Sequence, residues 1–186
     1  MGNNIRVLKN RTKYNGDGSL LNKPIAKLKE YFGSYKTICE NFCIDLTEFE
    51  QIFSAGGDSF VIWDVDKNGL IDALELFSGL IVFSDSKLED KVRFLFDIFD
   101  LNEIKCLSKT DVEFMVYSNL NSTFKIIGIK QPINVTHISD FLTLENGFDD
   151  EKTFTISEFI KFSVNNPAIQ EFFEIISRKN EKLPNQ

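Results

Sequence analysis

Four times in 186 residues the chain repeats one short pattern: an apolar residue, a small polar residue, two further positions, an acid and another apolar residue. The copies are Ile44-Asp-Leu-Thr-Glu48-Phe, Ile71-Asp-Ala-Leu-Glu75-Leu, Leu107-Ser-Lys-Thr-Asp111-Val and Phe154-Thr-Ile-Ser-Glu158-Phe. Asp, Ser or Thr followed three residues later by Glu or Asp satisfies the orphan amides of a first helical turn, so each copy predicts a helix start. One copy is commonplace. Four, each preceded by a helix-like stretch, restrict the fold to a repeated unit of helix, loop and helix.

The preceding stretches carry the matching period. Ile25, Leu28, Tyr31 and Phe32 predict a helix ending near Gly33, and Leu88, Val92, Leu95, Phe96 and Phe99 form a second apolar stripe. Ser86-Lys-Leu-Glu89 reads as the capping box of that second helix, and Ile138, Phe141 and Leu142 precede the fourth copy in the same way. The stretch from Glu48 to Asp64 is short for two helices and a linker, and Gly56-Gly57 breaks it. Residues 120–136, with Gly128 and Pro132, read as a connecting loop. Pro167 opens a last helix whose apolar face, Ile169, Phe172, Phe173 and Ile176, suits closure of the protein's own groove or docking on a partner.

The second copy completes a longer motif, Asp64-Val-Asp-Lys-Asn-Gly-Leu-Ile-Asp-Ala-Leu-Glu75. A calcium loop of the EF-hand type takes oxygen ligands at positions 1, 3, 5, 7, 9 and 12, with glycine at 6 for the sharp turn. Here these are Asp64, Asp66, Asn68, the Leu70 carbonyl, Asp72 and Glu75, with Gly69 at the bend. All donors are hard oxygens, and Glu75 at the start of the outgoing helix is placed to supply two. The pattern predicts one calcium cage, with magnesium as the alternative occupant at rest. Ile71 at position 8 would pair with the neighbouring loop in a short ribbon.

The other three loops fail the same test. Asp100 to Asp111 keeps Asp100 and Asn102 but has Ile104 at position 5 and Lys105 at position 6, where a side chain resists the left-handed turn. Gly147 to Glu158 lacks a ligand at position 1 and puts Lys152 at position 6. Its Asp149, Glu151 and Glu158 leave residual metal binding as an open question. Thr37 to Glu48 has Cys39, Asn41 and Phe42 at positions 3, 5 and 6, and serves as a ribbon partner for the second loop.

Charge is divided along the chain. Residues 1–36 hold eight Lys or Arg against Asp17 and Glu30, whereas the remaining residues hold 13 basic and 26 acidic side chains. A basic arm of this kind suits a solvated tail or an acidic partner, and charge alone does not choose. No apolar run is long enough to span a bilayer. Three cysteines, Cys39, Cys43 and Cys106, without a paired CxxC, read as buried free thiols in a reducing compartment. His137 stands without metal-ligand companions and reads as a surface or capping residue; Trp63 reads as a core anchor of the helix leading to Asp64. Asn121-Ser-Thr and Asn134-Val-Thr are glycosylation patterns only for a secreted chain. No nucleophile with a paired base and no phosphate-cradling glycine loop is found, so an enzyme is not expected.

Together, the loop and helix of residues 63–80 (WDVDKNGLIDALELFSGL), the linker of residues 84–100 (SDSKLEDKVRFLFDIFD), the degenerate first loop, the long segment before the fourth loop and the tail helix after Asn165-Asn-Pro167 resemble the four-EF-hand calcium sensors of the calcineurin B, neuronal calcium sensor and calaxin-like group, over roughly residues 25–175. The resemblance implies an all-α fold of four EF-hand motifs in two paired lobes, with two-stranded ribbons between paired loops and a C-terminal helix. The divisions would be a basic arm over 1–23, an N-terminal pair over 24–83, a C-terminal pair over 84–165 and a helix and tail over 166–186. It also implies an apolar groove that grips a protein partner. With only two methionines, Met1 and Met115, a groove of Phe, Ile and Leu suits one fixed partner. The expected role is a calcium-binding, non-catalytic subunit held in a larger cytoskeletal or ciliary complex, its basic arm on an acidic protein surface such as tubulin's. The competing role is a free calcium-switched sensor of an enzyme or channel. Cytoplasm or axoneme is the expected location; nucleic-acid binding is not expected. Met-Gly-Asn at the start resembles a myristoylation signal, but Arg6 stands where Ser or Thr is required, so membrane anchoring through Gly2 is not expected.

Overall fold

The computed structural model describes residues 20–129, 133–148 and 151–180. The basic stretch before Leu20, with Gly2, as well as Pro132, Asp149 and the final six residues, lies outside the described residues. What is described is mostly helical with two small antiparallel ribbons. In chain order the elements are α1 (Ile25–Ile38), β1 (Cys43–Ile44), α2 (Leu46–Phe53), α3 (Gly57–Trp63), β2 (Ile71–Asp72), α4 (Ala73–Val82), α5 (Leu88–Phe99), β3 (Cys106–Ser108), α6 (Lys109–Ile126), α7 (Val135–Asp140), which runs into a wider π-helical turn over Phe141–Glu145, β4 (Thr153–Thr155), α8 (Ile156–Asn165) and α9 (Pro167–Asn180).

The four repeats become four capped helices. Asp45, Asp72, Ser108 and Thr155 each accept the backbone amide three residues on, starting α2, α4, α6 and α8. The residue before each cap lies in a strand, and the strands pair two by two. Ile44 opposes Ile71 in one ribbon, and Leu107 opposes Phe154 in the other. All four of these apolar leaders are buried, so the ribbons pin the loops to the core.

The core is aromatic, as 19 Phe require. Tyr31 of α1 meets Phe53 of α2 edge-on at 5.0 Å, and Phe32 meets Phe77 of α4 in the same way at 5.0 Å. Around the second ribbon, Phe148 stacks on Phe154 at 4.3 Å, and Phe96 of α5 contacts Phe159 of α8 at 6.0 Å. Such ring pairs add about 0.5–1.5 kcal/mol each beyond area burial. The two ribbon assemblies join chiefly where α4 lies along α6.

Several expectations are corrected. Helix α1 does not stop near Gly33 but continues to Ile38, because Tyr35 extends its buried stripe. Ser86 does not cap α5, whose N-cap is Lys87; its Oγ accepts the Ile25 amide at 3.0 Å and ties the linker to the start of α1. Residues 120–126 are not loop but the last two turns of α6, which ends at Ile126 and is followed by Gly128 in the left-handed region (φ 69°). Their polar residues disguised the period. Asn119, Ser122 and Thr123 are buried, and each donates to a carbonyl one turn back at 2.6–2.8 Å. Cys43 is exposed rather than buried, since alternation along β1 turns Ile44 inward; all three cysteines are free thiols. Cys39 is half-buried, and burial, with the Glu48 carboxylate beside it, pushes its thiol up to about 11.

The short α2 and α3 match the broken stretch from Glu48 to Asp64. Ser54 turns left-handed after α2 (φ 51°), and Gly56 opens α3. Helix α9 begins at Pro167 as expected, with Asn166 Oδ1 accepting the amides of Ala168 and Ile169. Its face of Ile169, Phe172, Phe173 and Ile176 is buried in a groove walled by Val92, Leu95, Met115, Leu120 and Phe159. The helix therefore closes over the protein's own groove, and a pocket remains between them. Lys91 is sealed beneath it, donating to the Val82 carbonyl at 2.9 Å with the Phe173 ring 5.5 Å away. Burial lowers its ammonium to about 8. Among the described residues no helix is long and apolar enough to cross a membrane.

Candidate calcium loop

Trp63 ends α3 and sets the position of Asp64. Its indole is buried against α4 so closely that a Cβ on Gly79 would lie 2.6 Å from it and 3.0 Å from Ile126 of α6. Only glycine fits there, and the loop's first residue is thereby fixed to both α4 and α6.

From Asp64 the chain turns back on itself. Asp64 Oδ1 accepts the Asn68 amide at 3.0 Å, and its Oδ2 accepts the Gly69 amide at 3.1 Å. Asp66 also accepts from Asn68, by backbone at 3.3 Å and by side chain at 2.9 Å, while Asn68 Oδ1 accepts the Leu70 amide at 2.8 Å. Gly69 has φ 82°, the left-handed bend that glycine adopts without steric cost. Asp64, Asp66 and Asn68 thus fold inward on one short loop. Leu70 follows with its side chain 45% exposed. Asp72 caps α4 by accepting the Glu75 amide at 2.8 Å. Burial raises the Asp72 carboxyl; the Glu75 amide opposes the shift and the Glu75 carboxylate adds to it.

Glu75 departs from the pattern. In the other three repeats the final acid closes the capping box of its own helix. Glu48 accepts the Asp45 amide at 2.9 Å, Asp111 the Ser108 amide at 2.8 Å and Glu158 the Thr155 amide at 2.9 Å. Glu75 forms no such box. Its Oε1 accepts from Asn121 Nδ2 at 2.5 Å and its Oε2 from Lys125 Nζ at 2.5 Å, both on α6. The pair is shielded, with side-chain exposures of 26% for Lys125 and 16% for Glu75, and hydrogen bonds of this charged kind contribute about 1.5–3 kcal/mol. Among the described residues no group of three or more His, Cys, Asp or Glu is gathered into a finished metal cage.

The oxygen-only donor set and the inward carboxylates fit a hard divalent cation, and one predicted ligand, Glu75, is held elsewhere. Asn121 and Lys125 had no signal in the sequence as site residues. They lie 46 and 50 positions from Glu75, and only the packing of α4 on α6 joins them.

The third loop repeats the backbone with fewer oxygen donors. Asp100 accepts the Ile104 and Lys105 amides at 3.0 and 2.9 Å, and Lys105 is forced to φ 63°. In the fourth, Glu158 is committed to Thr155, which together with Lys152 holds its carboxyl below the usual range. His137 is half-buried, with Nε2 3.3 Å from Asn134 Nδ2.

No protein-family model matches the chain. Among curated proteins it is 34% identical over 58 residues to calaxin of Homo sapiens and 36% identical over 58 residues to calaxin of Bos taurus, each match covering 31% of this chain. It is 28% identical over 111 residues, 54% of the chain, to the calcium and calcium/calmodulin-dependent serine/threonine-protein kinase DMI-3 of Medicago truncatula. The matched region spans 28%, 27% and 21% of those three relatives' own lengths.

Proposed function

We propose that this chain is a calcium-binding, non-catalytic protein of the four-EF-hand kind, with one functional loop at Asp64–Glu75 and a docking role toward a protein partner. The observation that carries the reading is the loop itself, where Gly69 turns left-handed and Asp64, Asp66 and Asn68 fold inward. Asp64, Asp66, Asn68, the Leu70 carbonyl, Asp72 and Glu75 would hold the ion. The ion supplies a fixed double positive charge against which these oxygens are organised. The partial similarity to calaxin supports the same reading.

The groove walled by Val92, Met115 and Phe159 is taken by α9, so a partner would displace that helix or use another face. A cleft of about 260 Å³ between the first and third loops is open. Phe32, Phe42 and Leu101 give it apolar walls, and Asp97, Asp100 and Glu103 give it an acidic rim. It suits a partner segment carrying Lys or Arg.

Two roles follow, a permanent subunit of a cytoskeletal or ciliary complex and a free switched sensor. Engagement of Glu75 by α6 favours the switched version, because a ligand residue held elsewhere supplies two states for an ion to choose between. Calorimetric titration is expected to find one calcium per chain, displaceable by excess magnesium and lost in an Asp64→Ala, Glu75→Ala variant. Two or more ions per chain would overturn the assignment. Partner capture that survives a chelator would establish the permanent subunit instead.

A further inference from the structure

The geometry points to a latch: we propose that Asn121 and Lys125 of α6 hold the Glu75 carboxylate out of its loop, so that completing the Asp64–Glu75 site requires the seam between α4 and α6 to loosen. The inference rests on the calcium reading above and goes beyond it by naming the element that opposes the ion.

Three observations carry it. First, Glu75 alone among the four equivalent acids is not closed into its own capping box, so its outward position is not what the repeat dictates by default. Second, each of its carboxylate oxygens already accepts a hydrogen bond from α6, and these are the two oxygens a bidentate position-12 ligand contributes. Third, the seam is built so that a shift there reaches the loop. One turn beyond Glu75, Gly79 receives the Trp63 indole and the Ile126 side chain, and Trp63 directly precedes Asp64. The hydroxyls of Ser78 on α4 and Ser118 on α6 are buried without hydrogen-bond partners, and such groups lower the cost of exposing the helices that carry them.

By linkage, whatever stabilises the latched state weakens ion binding by the same factor. At the lower end of their range, charge-assisted hydrogen bonds of this kind correspond to roughly tenfold in an equilibrium. An Asn121→Leu, Lys125→Met double variant is therefore expected to bind calcium about tenfold more tightly than the full-length parent by calorimetry, with Lys125→Gln alone giving part of that gain. Amide exchange over residues 118–126 is expected to speed up when calcium is added to the parent, and to be fast already in the metal-free double variant. Lys125 is partly exposed, so the single variant retains the fold.

Equal or weaker calcium affinity in both variants would overturn the latch. If neither parent nor variants bind calcium, it is the calcium reading that fails. A metal-free thermal-melting cycle of Glu75→Gln with Lys125→Met then decides the latch. Coupling between the two substitutions supports it, and strict additivity overturns it.

Discussion

In the loop beginning at Asp64 and in the loop beginning at Asp100, the first aspartate accepts the amides of the fifth and sixth residues, and the fourth and sixth residues turn left-handed. The φ values at the fourth position are 59° for Lys67 and 54° for Glu103. One shared backbone carries two different chemistries. Position 5 is Asn68 in one and Ile104 in the other, and position 6 is Gly69 in one and Lys105 in the other. The final acid of the loop beginning at Asp64, Glu75, reaches across to α6, whereas Asp111 of the loop beginning at Asp100 is spent on its own helix cap. The EF-hand-like turn is thus kept by a single aspartate and a helix cap, independently of whether a cation site exists.

The sharpest way to break the comparison is to exchange the final acids' charge. Glu75→Gln is expected to weaken calcium binding by more than about 100-fold, since the negative charge and one of the two bidentate oxygens are lost. Asp111→Asn is expected to leave it unchanged in the same titration, and a loss there would mean that the third loop is also a site. Next in size is the seam. Gly79→Ala puts a methyl group into the Trp63 ring and Ile126, and is expected to destabilise the fold by about 1–3 kcal/mol in denaturant unfolding, against its gain in helix propensity. An unchanged midpoint would show that Trp63 has room to move. Ser108→Ala removes one half of a capping box and is expected to cost about 1 kcal/mol without touching calcium affinity. The smallest effect has the opposite sign. Lys105→Gly relieves a left-handed side-chain residue and is expected to stabilise by roughly 0.5–1 kcal/mol, less the entropy glycine loses on folding. It is not expected to create a calcium site, because Ile104 still lacks an oxygen.

Much of this was legible in the residues. The four helix starts, a ribbon between the first two loops and the burial of Trp63 follow from capping, alternation and amphipathic period, whereas the apolar face of the last helix left closure of the groove and docking on a partner equally open. Where the reading missed, a local rule met a competitor. Ser86 has a cap-like hydroxyl three residues before Glu89 but serves the distant Ile25. The end of α6 reads as loop because Asn119, Ser122 and Thr123 are polar, yet their side chains are satisfied by the helix's own carbonyls and can be buried.

The order of oxygen-bearing residues from Asp64 to Glu75 and the left-handed bend at Gly69 were legible in the sequence alone, since glycine takes that conformation without steric cost. Which partner Glu75 takes was decided only by tertiary structure. A carboxylate on a first helical turn has its own cap, its own loop and any facing helix within reach. Asn121 and Lys125 are brought to it by the packing of α4 on α6 around Trp63, across 46 and 50 residues of chain that no local rule spans.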